Sequence, residues 1–349
     1  MGMAELALYR KYRPGTFTDV VGQDHVIKAL QGALKEGNVS HAYLFFGSRG
    51  TGKTSVARIF AHELGASDAD IHEIDAASYT GVDNIRALRE EAAVMPFDSK
   101  RKVYIVDEVH MLSKSAFNAF LKTLEEPPAH VVFILATTEL EKVPDTIQSR
   151  CQVFTFKKPT AKAIAETVTT IAKAEGFTLE KASAELIALL AAGSFRDSQS
   201  ILQKILSSSS DKKVSVEEVV TITGAPRSDV IERIITGLSV GSADDALRAV
   251  GEAVKSNSDI AVLLMILIDR VRMMLMLRYA PKVGEEMIGD LTDTDQAFLS
   301  ELAKDAKSKI NSETLRKLLI AGMETDRSPV PQLPLELAII ELSNTEKVA

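Results

Sequence analysis

The sequence predicts an α/β unit, a parallel five-stranded sheet with helices on both faces, followed by two all-helical segments. Short β-branched and aromatic runs alternate with helical patterns up to about residue 158. A glycine-rich turn separates the first of these runs from the helix after it. Beyond Lys158, Pro159 and Thr160 no strand pattern of comparable quality appears.

In chain order the expected strands are Ala42–Phe46, Ile71–Asp75, Val103–Val106, Val131–Ala136 and Gln152–Phe156. Helical patterns lie between them, near Lys53–Leu64, Asp83–Val94 and Ser115–Glu125. Strands joined through helices need crossover connections, which makes the sheet parallel. A further helix around His25–Lys35 precedes the first strand and is expected to cover the pocket at the glycine-rich turn. Four short amphipathic helices follow, near Ala161–Ala174, Glu180–Ala191, Phe195–Leu206 and Ser215–Thr223, with Ser207–Ser210 read as a solvated loop. From Ser228 onward the pattern is helical, with breaks near Gly241, Ser256–Asp259, Pro281–Gly284, Asn311 and Ser328–Pro334. The expected division is therefore 1–159, 160–225 and 226–349.

A chain of 349 residues can bury two or three cores, and 46% hydrophobic with 26% charged residues is a globular composition. The formal charge of -7 argues against a broadly basic nucleic-acid coat, though Arg10, Lys11 and Arg13 form a locally basic start. Cys151 is the one cysteine, so no disulfide within the chain and no cysteine-based zinc site is possible. That fits a reducing cytoplasm. The N-terminal stretch has no signal-peptide pattern. The most apolar run, Ile260–Ile268, is about half the ~20 residues a membrane span needs, and it meets Asp269, Arg270 and Arg272. A buried core helix is expected there, with no membrane partner. Met273, Met274 and Met276 in the same helix read as core filling.

The glycine-rich turn reads GSRGTGKT, with a strand pattern before it and a helix after it. Gly47, Gly50 and Gly52 let the backbone N–H groups face phosphate oxygens, and the helix dipole favours the same anion. Ser48, Arg49, Thr51 and Ser55 complete the phosphate-facing segment. Lys53 is expected at the β- and γ-phosphates and the Thr54 hydroxyl at Mg²⁺. The strand from Val103 ends in Asp107 and Glu108. Two acids there are costly unless a cation or a reacting water uses them. Asp107 is read as an Mg²⁺ ligand through water, and Glu108 as the group that polarises the attacking water. Either alone is an ordinary acidic turn; beside the phosphate loop they favour hydrolysis.

Thr137 and Thr138 follow the fourth strand, either as turn caps or as hydroxyls near a γ-phosphate. Arg150, ahead of the fifth strand, reads from spacing alone as an ordinary surface ion pair. Arg196 opens a predicted helix, where the dipole disfavours a cation unless an anion is near. His25, His41, His62, His72, His110 and His130 show no paired metal spacing and are read as structural or solvated.

The stretches YRKYRPGTFTDVVGQDHV, HAYLFFGSRGTGKTSVARIFA, VYIVDEVHMLSKSAFNAFLKTLEEPP and VVFILATTELEKVPDTIQSRC resemble the tau/gamma clamp-loader subunits of bacterial DNA polymerase III. More broadly they resemble AAA+ clamp loaders. The match covers about residues 9–158, continues more loosely through GSFRDSQS, and is weak in the C-terminal third. The resemblance implies an AAA+ fold with a helical lid and a helical collar. It implies ATP and Mg²⁺ as ligands, and as partners the other clamp-loader subunits, the sliding clamp and primer–template DNA. Thr138 falls at the family's sensor 1, Arg150 at the arginine finger serving a neighbouring subunit, and Arg196 at sensor 2. Arg10, Lys11, Tyr12, Arg13 and Pro14 correspond to a segment over the adenine, with Val20 and Val21 lining the base pocket.

Two departures are plain. The family's four-cysteine zinc module after the phosphate-loop helix is missing, so no structural zinc is expected. The chain also ends just past the expected collar, without the long tail of tau. The rivals are a non-hydrolysing stator, disfavoured by Lys53, Thr54, Asp107 and Glu108, and a branch-migration translocase, which calls for a C-terminal winged helix.

Overall fold

The computed structural model describes residues 6–209, 211–289, 291 and 293–344. Two compact units emerge, one of Met1–Ile164 with Ala191–Ser200, the other of Ala165–Leu190 with Ile201–Ala349.

In the first unit the strands are β1 (Ala42–Phe46), β2 (Ile71–Asp75), β3 (Lys102–Asp107), β4 (Val131–Thr137) and β5 (Gln152–Thr155). The helices are α1 (Leu8–Lys11), α2 (Asp24–Glu36), α3 (Lys53–Glu63), α4 (Val82–Ala93), α5 (Lys114–Glu125) and α6 (Asp145–Gln148). All five strands pair in parallel, in the order β2-β3-β4-β1-β5. Side chains alternate across the pleat. Tyr43, Phe45, Val103, Ile105, Val132 and Ile134 face one way, onto Val26 and Leu30 of α2 and Val56 and Phe60 of α3. Leu44, Tyr104, Val106, Phe133 and Leu135 face the other, onto Ile85 and Leu88 of α4 and Phe117, Phe120 and Leu124 of α5. Covering both faces is why β1, β3 and β4 read as unbroken apolar runs. The edge strands β2 and β5 are half-exposed and carry His72, Glu73, Gln152 and Thr155 on their sides.

The second unit holds most of α7 (Ala161–Ala174), α8 (Lys181–Leu190), most of α9 (Phe195–Ser208), α10 (Val216–Thr223) and α11 (Ser228–Val240). It continues through α12 (Ala243–Lys255), α13 (Ile260–Tyr279), α14 (Pro281–Ile288), α15 (Asp293–Lys304), α16 (Ser312–Thr325) and α17 (Leu333–Asn344). One core joins Ile234, Val250, Leu267, Met274, Leu299, Leu318 and Ile339. The central helix, α13, is apolar on most sides, as a helix surrounded by others must be. Met274 is buried in this core and Met273 packs against it. Among the described residues no helix is long and apolar enough to cross a membrane.

Several boundaries differ from the sequence pattern. Helix α9 runs to Ser208, so Ser207 and Ser208 are helical; Ser210 lies outside the described residues. Thr178–Leu179 and Lys213–Val214 form a two-residue parallel pair where no strand was expected. The break expected at Pro281–Gly284 falls at Ala280, and Pro281 opens α14 as its first residue, because a missing N–H costs nothing there.

Candidate active site

The parallel register brings Gly47 after β1, Asp107 and Glu108 at the end of β3, and Thr137 and Thr138 at the end of β4 to one edge of the sheet. Gly47 has no room for a side chain: a Cβ there would lie 2.7 Å from the Phe156 carbonyl oxygen. Gly50 is required twice over. Its φ is +72°, and a Cβ would meet Ser194 Oγ at 2.0 Å. The Phe195 N–H donates to the Gly50 carbonyl at 3.0 Å, which holds the N-terminus of α9 against the loop.

Gly52 is the N-cap of α3 and offers no side-chain cap. The first-turn N–H groups of an eleven-residue helix, those of Lys53, Thr54 and Ser55 among them, are left for an external acceptor. Lys53 is buried, and its Nζ donates to the carbonyls of Gly47 (2.7 Å) and Ser48 (3.0 Å). Burial pushes its pKa down, while the carboxylates of Glu108 and Asp107 push it back up. An uncapped helix start with a buried ammonium beside it fits a polyphosphate. The Thr54 hydroxyl donates to Asp107 Oδ2 at 2.8 Å, an oxygen pair of the kind Mg²⁺ takes. Thr51 is buried, its hydroxyl bonded to the Ser48 carbonyl at 2.9 Å, and Arg49 reaches Asp197 at 3.5 Å on the surface.

Glu108 has φ 49° and ψ 44°, a left-handed conformation that costs a non-glycine residue about 1 kcal/mol or more. The turn after β3 thereby throws its carboxylate toward the end of β4, where Thr138 Oγ1 donates to Oε2 at 3.2 Å. The two threonines differ in their contacts. Thr137 caps the turn, accepting the Glu139 N–H at 3.0 Å, and Thr138 faces Glu108.

A cationic cluster lies at the N-terminal segment. The Arg196 guanidinium sits 4.9 Å from the centre of the Tyr9 ring and that of Arg10 sits 5.8 Å from it. Arg13 is half-buried; burial lowers its pKa, and Arg58, Arg10 and Arg196 lower it further against the opposing pull of Glu73. Pro14 is half-buried, Val20 packs on the α2–α3 face of the core, and Val21 is exposed.

Arg150 stands apart from all of these. It precedes β5, whose Gln152 pairs with Tyr43 at the start of β1. Gly47 lies four residues beyond Tyr43, roughly 13 Å along the sheet at about 3.3 Å per residue, and Arg150 precedes Gln152 at the opposite end, beyond the reach of its side chain. Its Nη2 donates to Glu125 Oε1 and its Nη1 to the Thr146 carbonyl, both at 2.7 Å.

Three residues here escaped the sequence reading. Gln23 is fully buried; its Nε2 donates to the carbonyls of Lys157 (2.7 Å) and Thr51 (3.4 Å), and its Oε1 accepts the Lys157 N–H. It ties the phosphate loop to the chain leaving β5. His110, read as structural or solvated, lies inside the site against Glu108, Thr137 and Glu139. Glu125 holds Arg150. Nothing in spacing signals these partners, since each contact joins segments far apart in the chain or depends on the turn at Glu108.

The family model for DNA polymerase III, delta subunit, matches residues 22–77 and 66–160. The chain is 41% identical to DNA polymerase III subunit tau of Bacillus subtilis over 98% of its own length, and 34% identical to subunit tau of Escherichia coli over 97%. It is a homologue of the DNA polymerase III tau/gamma subunits. It spans 64% and 55% of those two relatives' lengths. The solved structure of the Thermotoga maritima RuvB Holliday junction branch migration motor superimposes with a TM-score of 0.53 at 19% identity, covering 88% of this chain and 98% of that one. The shared fold is AAA+.

Proposed function

We propose that this homologue of tau/gamma is the ATP-hydrolysing motor subunit of a clamp loader, which opens a sliding clamp and places it on primer–template DNA. The observation that carries the reading is the split of its polar groups between two edges of one sheet. Lys53, Thr54, Asp107, Glu108 and Thr138 form a phosphate site at one edge, while Arg150 waits at the other. A site completed by the arginine of a neighbouring subunit accounts for both halves.

In this reading Lys53 and the N–H groups of Gly50–Ser55 bind the phosphates. Thr54 and Asp107 hold Mg²⁺, which neutralises charge on the phosphate oxygens. Glu108 orients and deprotonates the attacking water, with Thr138 holding its carboxylate. Arg196 and the Arg10–Pro14 segment respond to the nucleotide from the far side, and Val20 and Val21 line the base. Residues 1–159, 160–225 and 226–349 serve as motor, lid and collar, the collar joining the other clamp-loader subunits. The protein works in the cytoplasm, with ATP and Mg²⁺ and without zinc.

The test is ATP turnover by the assembled loader with clamp and primed DNA. Glu108→Gln is expected to lower turnover by a factor of about 10² or more while nucleotide still binds. Unchanged turnover would remove Glu108 as the base and with it the motor reading. A stator would show no stimulated turnover in the parent protein.

A further inference from the structure

His110 lies in the single 3₁₀ turn Val109–Met111, immediately after the left-handed residue Glu108. Its side chain is only 7% exposed. Nδ1 lies 3.0 Å from Thr137 Oγ1 and 3.4 Å from Glu108 Oε2, and Nε2 lies 3.2 Å from Glu139 Oε1. Both ring nitrogens therefore face oxygen, and the ring bridges the end of β3 to the end of β4. Glu139 is held in its turn by Lys142 Nζ at 2.7 Å.

All the polar partners of this ring are side chains: two are the carboxylates of Glu108 and Glu139, and the third, Thr137, also caps the turn after β4. Burying an imidazole between two carboxylates is expensive unless the contacts are used, because an apolar residue would fill the same space at no desolvation cost. The neighbouring Val109 and Leu112 are buried in the sheet-face core and anchor the turn without the ring. His110 and Thr138 converge on the same oxygen of Glu108, Oε2. Among the described residues no group is hydrogen-bonded to Oε1.

We propose that His110 is the positioning residue of Glu108. It fixes Oε2, so that Oε1 is the oxygen presented to the reacting water, and through Glu139 it links the base to the turn that follows β4. Thr138 gives this carboxylate one hydrogen bond, about which it can still swing; the contact from His110 to the same oxygen removes that freedom, and a base misplaced by about 1 Å loses most of its advantage. The inference rests on Glu108 acting as the base.

The test uses the full chain in its loader, with clamp, primed DNA and MgATP. It compares kcat, KM for ATP, affinity for a fluorescent ATP analogue and the melting temperature across His110→Ala, His110→Asn, Glu139→Gln and Glu108→Gln. His110→Ala is expected to lower kcat roughly tenfold to hundredfold, with KM, analogue affinity and melting temperature close to the parent. His110→Asn, which keeps a polar nitrogen near the Nδ1 position, recovers part of the loss and serves where the alanine variant does not fold. Glu139→Gln combined with His110→Ala costs less than the sum of the two, as expected for residues on one path. An unchanged kcat in both His110 variants, beside a disabled Glu108→Gln, overturns the positioning role and leaves the motor reading intact. So does a fall in kcat matched by an equal loss of analogue affinity and melting temperature. An active Glu108→Gln overturns both.

Discussion

Asp70 is a carboxylate buried to 1% exposure in the short connection between α3 and β2. It accepts from the N–H groups of Phe97 (2.6 Å), Asp98 (3.2 Å) and Ser99 (3.1 Å), and from the hydroxyls of Ser99 (2.6 Å) and Ser67 (3.3 Å). Burial alone would raise its pKa, but these donors outweigh burial and hold the carboxyl well below its ordinary value. The connection is where the resembled family carries its zinc module, and here a single carboxylate ties it to residues 97–99. Because the folded pKa lies below the unfolded value of about 3.9, the stabilisation is complete above that value and is lost as pH falls from it toward the folded pKa. Asp70→Asn should cost on the order of 2 kcal/mol at neutral pH. It should also flatten the acid limb of a plot of urea midpoint against pH. An acid limb identical to the parent's would show that the charge at Asp70 is not what the loop depends on.

At the scale of elements, two glycines in the helical unit make opposite predictions from the same chemistry. Gly284 lies in α14 where a Cβ would approach the Leu277 backbone N and Cα, in α13, at 2.5 Å. Neither backbone can yield, so Gly284→Ala should destabilise by about 1–3 kcal/mol in urea unfolding. Gly251 lies inside α12 with nothing within 4 Å of its missing Cβ. Gly251→Ala should stabilise by roughly 0.5–1 kcal/mol, through propensity and a less mobile unfolded chain. A midpoint unchanged or raised by Gly284→Ala would show that the α13–α14 contact can give way. The charged residues that interrupt the apolar run of α13 are explained at this scale too. Arg270 pairs with Asp295 at 2.9 Å in a largely buried bridge. Arg278 donates to the carbonyls of Leu302, Ala303, Asp305 and Ile310, groups at and beyond the C-terminus of α15.

For the whole molecule, the proposed motor role together with the separation of Arg150 from Gly47 predicts that hydrolysis depends on a neighbouring subunit. A chain alone should turn over ATP slowly, since an arginine supplied in trans is worth about 10³–10⁵ in rate. Loaders assembled from a mixture of Arg150→Ala and Lys53→Ala chains should keep partial activity, because an interface with an intact loop on one chain and an intact arginine on the next still occurs. Complete loss at every mixing ratio would contradict completion in trans. Glu125 enters the same experiment as the residue that holds Arg150, through a half-exposed pair worth little to stability. Glu125→Gln should therefore leave the melting temperature nearly unchanged.

The sequence by itself determined the elements and the chemistry of the loop. Unbroken apolar runs set between helical patterns spell buried parallel strands, and GSRGTGKT between a strand and a helix spells a candidate phosphate cradle, because both signals are local in the chain. The acids at 107 and 108 were legible for the same reason: they terminate a run with no other use for charge. The strand order was not legible. Pairing β1 between β4 and β5 joins segments some ninety and more residues apart, and pairing at that range is chosen by the packing of the whole sheet. That order sets Thr138 against Glu108 and sends Arg150 to the far edge. It also brings Gln23 to the loop and encloses His110 between two carboxylates. Residue types marked the loop as a candidate phosphate cradle; only the tertiary structure decided which side chains stand around it, because those contacts exist only once distant strands have paired.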